Sequence, residues 1–127
     1  LLFYASGLQT GAVAEAVAKG AFAKMSAGFV PLVSRGILCN ILVCLAVWCG
    51  FRVKNESAKI LMCFWCLFGF EHSIANMTLL TSALLVPAGQ AVSVNGWIFN
   101  LAAVTLGNII GGAVFVALPY YVASRKK

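Results

Sequence analysis

The chain has 127 residues, of which 62% are hydrophobic and 9% charged, with a mean hydropathy of +0.98. Soluble domains carry about 25% charged residues, so these values exclude an ordinary water-soluble module and point to lipid as the solvent. The net charge of +6 does not mark a nucleic-acid binder: the bases form no stripe, and most fall in two short clusters, Arg52, Lys54 and Lys59, then Arg125, Lys126 and Lys127.

Residues 4–29 are alanine-rich and helix-prone but interrupted by Glu15, Lys19 and Lys24. They read as a connecting helix outside the membrane or at its surface, so that residues 1–28 form a connecting segment and outer-side helix. Residues 29–51 hold one charge, Arg35, near their start, and at 1.5 Å per residue they reach about 35 Å, enough to cross the hydrocarbon core. The cluster Arg52, Lys54 and Lys59 then places the first connection on the inner side.

Residues 60–86 are long enough to span, yet their centre reads Gly69-Phe70-Glu71-His72-Ser73. Charged groups at mid-membrane cost at least ~2.5 kcal/mol each and are tolerated only facing a protein interior or a wet cavity. A helix that breaks there frees backbone N–H and C=O groups, which is permitted where the break lines a cavity. The expectation is therefore a half-helix, a loop over residues 69–73, and a second half-helix. After an uncharged connection, residues 97–122 form another spanning helix, with Trp97 at one end and Tyr120-Tyr121 at the other, where aromatic belts form. The basic tail returns to the inner side. The whole is one transmembrane channel region, residues 1–127, crossing three times with its N-terminus outside. An odd count of crossings points to a fragment or to one part of an oligomer.

Three strings carry a resemblance. GFEHSIANM (69–77) is similar to the central motif of the formate/nitrite transporter family, RGILCNILVCLAVW (35–48) resembles that family's fourth helix, and VTLGNIIGG (104–112) resembles its sixth. The likeness covers most of the chain but only the last three of the family's six helices. It implies an all-α integral membrane protein with an aquaporin-like inverted-repeat bundle and a broken fifth helix. It also implies a homopentamer with one pore per protomer, in the inner (plasma) membrane of a prokaryote, passing small monovalent anions and needing no cofactor. Thr78-Leu79-Leu80-Thr81 with its short uncharged sequel looks closest to the hydrosulfide branch of the family. The other branches named by the resemblance pass formate or nitrite.

The family's pore histidine corresponds to His72, its fourth-helix asparagine to Asn40, the lysine before that to Lys24, and its sixth-helix asparagine to Asn108. The chemistry of His72 agrees, because an imidazole can donate a hydrogen bond to an anion when neutral and balance its charge when protonated. The competing reading is a core histidine bonded to a neighbouring carbonyl. Asn40 offers a neutral donor and acceptor to a pore, or an ordinary interhelical hydrogen bond. Lys24 either raises the anion concentration at an outer mouth or is simply solvated. Glu71 lies about 100° round a helix from His72, so its role is structural, fixing the loop together with Gly69 and Ser73. Phe68 is the candidate constriction residue. Gly107, Gly111 and Gly112 form a small-residue face for close helix packing.

Two other classes of function remain. Cys63 and Cys66 spell C-x-x-C, which would suit a membrane-embedded thiol oxidoreductase, but a redox pair needs an accessible thiolate and this one is set among Leu, Met, Phe and Trp. A non-conducting half-channel scaffold is the second. One histidine and three acids leave little from which to build a metal cluster or a catalytic triad.

Overall fold

A computed structural model describes residues 2–52, 54, 57, 60 and 71–125. The described residues are helix and loop, without a strand. Helix α1 is a single turn, Leu2–Ala5, closed by Gly7 in the left-handed region (φ 70°), a conformation that costs glycine little. Helix α2, Gly11–Met25, buries Ala14, Ala18 and Ala21. These small side chains recur every three or four residues, so they form one stripe on which neighbouring helices sit closely. That stripe packs on α4 and α5, so α2 is part of the bundle, not the peripheral connector that its charges suggest.

Helix α3, Phe29–Arg52, has 24 residues and hence a length of about 36 Å. Pro31 falls in its first turn, where the missing N–H has no helical partner to lose. Helix α4, Ser73–Leu85, starts at His72, which has extended backbone (φ −105°, ψ 120°), and stops before Pro87. Helix α5, Val94–Gly112, begins three residues ahead of Trp97 because the Ser93 hydroxyl accepts a hydrogen bond from Gly96 N–H at 3.1 Å, satisfying one of the donors that a helix start leaves over.

Beyond α5 the chain widens into a π-helical turn, Ala113–Ala117, and continues as α6, Leu118–Arg125. Pro119 explains the turn. Its ring would strike the carbonyl four residues back and it offers no N–H, and widening the helix just before it relieves the clash. Helices α3 and the continuous run Val94–Arg125 are long and apolar enough to cross a membrane, whereas α4 is shorter.

The core has two apolar patches. Ala21, Leu80, Ala83 and Leu101 join α2, α4 and α5, and Leu32, Ala103 and Val104 join α3 to α5. Gly36 of α3 faces Gly107 of α5, and a Cβ on Gly36 would lie 2.8 Å from the Val104 carbonyl oxygen and 3.2 Å from Gly107 Cα. The backbones of α3 and α5 therefore touch. Large apolar side chains such as Val30, Ile74, Ile98 and Ile109 remain exposed around the bundle, a surface suited to lipid or further protein.

Candidate functional site at the broken helix

The two patches enclose a polar interior that begins where α4 starts. Asn108 of α5 clamps that start: its Oδ1 accepts from Ser73 N–H at 3.0 Å, and its Nδ2 donates to the carbonyls of Gly36 at 2.9 Å and Glu71 at 3.0 Å. One amide thus ties the break to α3 and satisfies one of the N–H groups a helix start leaves unpaired. It reaches Gly36 only because the glycine contact brings α3 and α5 so close.

Asn40 joins from α3, donating its Nδ2 to the Asn108 carbonyl at 2.6 Å. This is the interhelical bond that was one of the two readings of that residue. The carbonyl lies one turn before the π-helical segment, and glycine at position 112 leaves room for the amide, since a Cβ there would sit 2.6 Å from Asn40 Nδ2.

Glu71 is 2% exposed. Its Oε2 accepts from Asn76 Nδ2 at 2.5 Å and faces Lys24 Nζ at 2.8 Å. A carboxylate at this depth needs both a counter-charge and donors, and α2 and α4 supply them. Lys24, expected as a mouth cation or a solvated lysine, instead has its ammonium paired inside the chain, with the side chain 24% exposed.

Asn76 and Asn100 complete the arrangement, and sequence reasoning assigned neither. Asn76 donates its second N–H to Asn100 Oδ1 at 2.9 Å, and Asn100 Nδ2 donates to the Lys24 carbonyl at 2.9 Å. The ring Lys24, Glu71, Asn76, Asn100 thereby closes on itself. A signal existed, since an amide in an otherwise apolar membrane helix seldom goes unused.

His72 stands beside this ring. Its carbonyl accepts from Asn76 N–H at 2.8 Å, and its Nδ1 is buried with no hydrogen-bond partner among the described residues. The imidazole therefore carries an unspent polar atom at the positive end of the α4 dipole. His72, Asn40, Lys24, Asn108, Glu71 and Ser73 are thus brought into one neighbourhood. Phe68 and Gly69, and the Cys63 and Cys66 pair, lie outside the described residues. Among the described residues no group of His, Cys, Asp and Glu is placed to hold a metal.

Residues 1–122 match the family model described as formate/nitrite transporter. The chain belongs to the formate/nitrite transporter family. It is 43% identical over 111 residues to the nitrite transporter NirC of Escherichia coli strain K12, covering 84% of this chain and 41% of the relative. It is also 39% identical over 99 residues to formate-nitrite transporter 2 of Toxoplasma gondii, covering 73% of this chain and 21% of that protein. Among solved structures, an FNT family ion channel superposes with a TM-score of 0.84 at 38% identity, over 96% of this chain and 51% of that one. The all-helical membrane-channel fold follows from that likeness. The chain spans about two fifths of the length of the nitrite transporters it matches. These relatives are transporters and a channel, not enzymes, which leaves the oxidoreductase reading without support.

Proposed function

We propose that the protein carrying this chain passes small monovalent anions (nitrite, formate or hydrosulfide) across a membrane, passively or with a proton, with His72 as the site where the anion gains a partner. The observation that carries this reading is the Nδ1 of His72 at the start of α4, buried without a partner among the described residues, with the neighbouring polar groups Glu71, Asn76, Asn100 and Asn108 bonded to one another. An anion entering a largely apolar passage loses much of its hydration, which is unfavourable unless charge or a proton donor replaces it. The imidazole supplies either, and the helix N-terminus adds favourable potential. The relatives support nitrite and formate, while the string at 78–81 is the ground for including hydrosulfide. The exposed apolar faces suit assembly, read here as a homopentamer with a pore in each protomer. The bacterial relatives suit a prokaryotic inner membrane.

The test is uptake of nitrite, formate and hydrosulfide into liposomes by the full-length protein, measured against pH for wild type and for His72→Asn. An imidazole can donate to an anion and also take up or release a proton, whereas an amide can only exchange hydrogen bonds. Wild-type flux is expected to respond to pH, while the variant is expected to give a flatter profile. Superimposable profiles would mean that no proton transfer through His72 accompanies the anion.

Asn40→Leu is expected to lower flux while the protein stays folded. The lost interhelical bond is worth only about 0.6 kcal/mol on average in a membrane protein, so thermal unfolding in detergent should move little. Unchanged uptake would assign Asn40 to packing alone.

A further inference from the structure

We propose that Asn100, buried on α5, is a positioning residue that governs anion passage by fixing the direction of the amide hydrogen bond from Asn76 to the Glu71 carboxylate; the link to flux rests on the function proposed above. The Lys24 carbonyl can only accept a hydrogen bond. Asn100 must therefore turn its NH2 group toward it, at 2.9 Å, and present its Oδ1 to Asn76. Asn76 must answer with its own NH2, at 2.9 Å, and its second N–H then points at Glu71 Oε2, at 2.5 Å. Each amide has one permitted orientation because the chain of bonds ends on a group that cannot donate.

The consequence falls on the charges. Glu71 Oε2 is held between the Asn76 amide of α4 and the Lys24 ammonium of α2, and His72 is the next residue along the backbone. With Asn100 removed, Asn76 loses the acceptor that holds its second N–H, and the carboxylate is gripped firmly only by Lys24. A carboxylate that can swing toward the imidazole would repel an anion there and compete for its N–H. Asn100 is fully buried, and its hydrogen bonds run to Asn76 and the Lys24 carbonyl, so its influence on the anion is exerted through Asn76 and Glu71.

Two variants of the full-length protein separate this role from simple space-filling. Leucine has a comparable volume but no hydrogen bonds, so Asn100→Leu is expected to reduce anion flux in liposomes roughly tenfold, less than the ~100-fold that ~1 Å of misplacement can cost at a reacting centre. In Asn100→Asp the ionised side chain still accepts from Asn76 but repels the Lys24 carbonyl; once protonated it donates there as the amide does. Its flux, taken as a ratio to wild type at each pH, should therefore recover as pH falls, and that of Asn100→Leu should not. The charged groups joined to position 100 through this hydrogen-bond ring are the Lys24 ammonium and the Glu71 carboxylate, with the titratable His72 next to Glu71 in the chain; Arg35 and Arg52 of α3 are exposed. A third measurement needs no flux: acylation of Lys24 by a water-soluble reagent in detergent, relative to exposed Lys19 and read by mass spectrometry, should rise several-fold in Asn100→Leu. The proposal is overturned if Asn100→Leu keeps the wild-type labelling ratio, or if the Leu and Asp variants share one pH profile. If wild-type liposomes carry no anion, the proposed function fails separately, and the labelling ratio alone decides the relay.

Discussion

Lys24→Met is expected to lower stability by about 3–5 kcal/mol, the usual consequence of removing one partner of a buried ion pair. The effect is large because the two partners are unequally buried. Glu71 is 2% exposed and its Oε2 is served by Asn76 and Lys24. Without Lys24 the carboxylate keeps a single amide donor and no counter-charge. The reverse variant, Glu71→Gln, leaves the Lys24 ammonium, whose side chain is 24% exposed, able to turn toward water. It should therefore cost less, about 1–3 kcal/mol, mainly from the disturbed hydrogen bonds. The double variant should recover much of the loss, because it leaves no unpaired charge. Thermal unfolding of the three full-length variants in detergent measures this. Additive losses in the double variant would show that the pair carries no coupling, and equal losses in the two single variants would overturn the argument from unequal burial.

Gly107→Ala is expected to cost about 3 kcal/mol and to abolish most flux. A Cβ at this position would collide with the Val33 carbonyl oxygen and lie 3.1 Å from both Gly36 Cα and Ile37 N. All three obstacles belong to the α3 backbone, so no side chain can swing aside, and the penalty sits at the upper end of the range for overpacked cores. The helices would have to separate, and separation loosens the bonds from Asn108 to the Gly36 carbonyl and from Asn40 to the Asn108 carbonyl. Gly50→Ala on the same α3 is the control, since nothing lies within 4 Å of a Cβ there. It should stabilise by about 0.5–1 kcal/mol through helix propensity. Equal unfolding temperatures for the two variants would mean that α3 and α5 do not meet through Gly107.

Several features were legible in the sequence for a physical reason. The solvent of a helix is written in its composition, so the apolar runs around residues 29–51 and 97–122 stood out, and a glutamate beside a histidine in an apolar stretch marked an interior position. The strings at 35–48, 69–77 and 104–112 carried the family. Two local features were also written but went unread: Ser93 as the cap that starts α5 early, and Pro119 as the cause of the π-helical turn.

Tertiary structure alone decided which polar groups meet. Lys24 and Glu71 are 47 positions apart, and Asn100 reaches the Lys24 carbonyl across 76. Nothing in the spacing of such residues specifies their depth or the direction they face. That depends on the glycine contact between α3 and α5 and on the alanine stripe that seats α2 inside the bundle, which let the backbones approach closely. Composition records that a buried amide or carboxylate must find a partner. Which partner it finds is fixed only when the backbones approach closely enough for a hydrogen bond of about 3 Å to form.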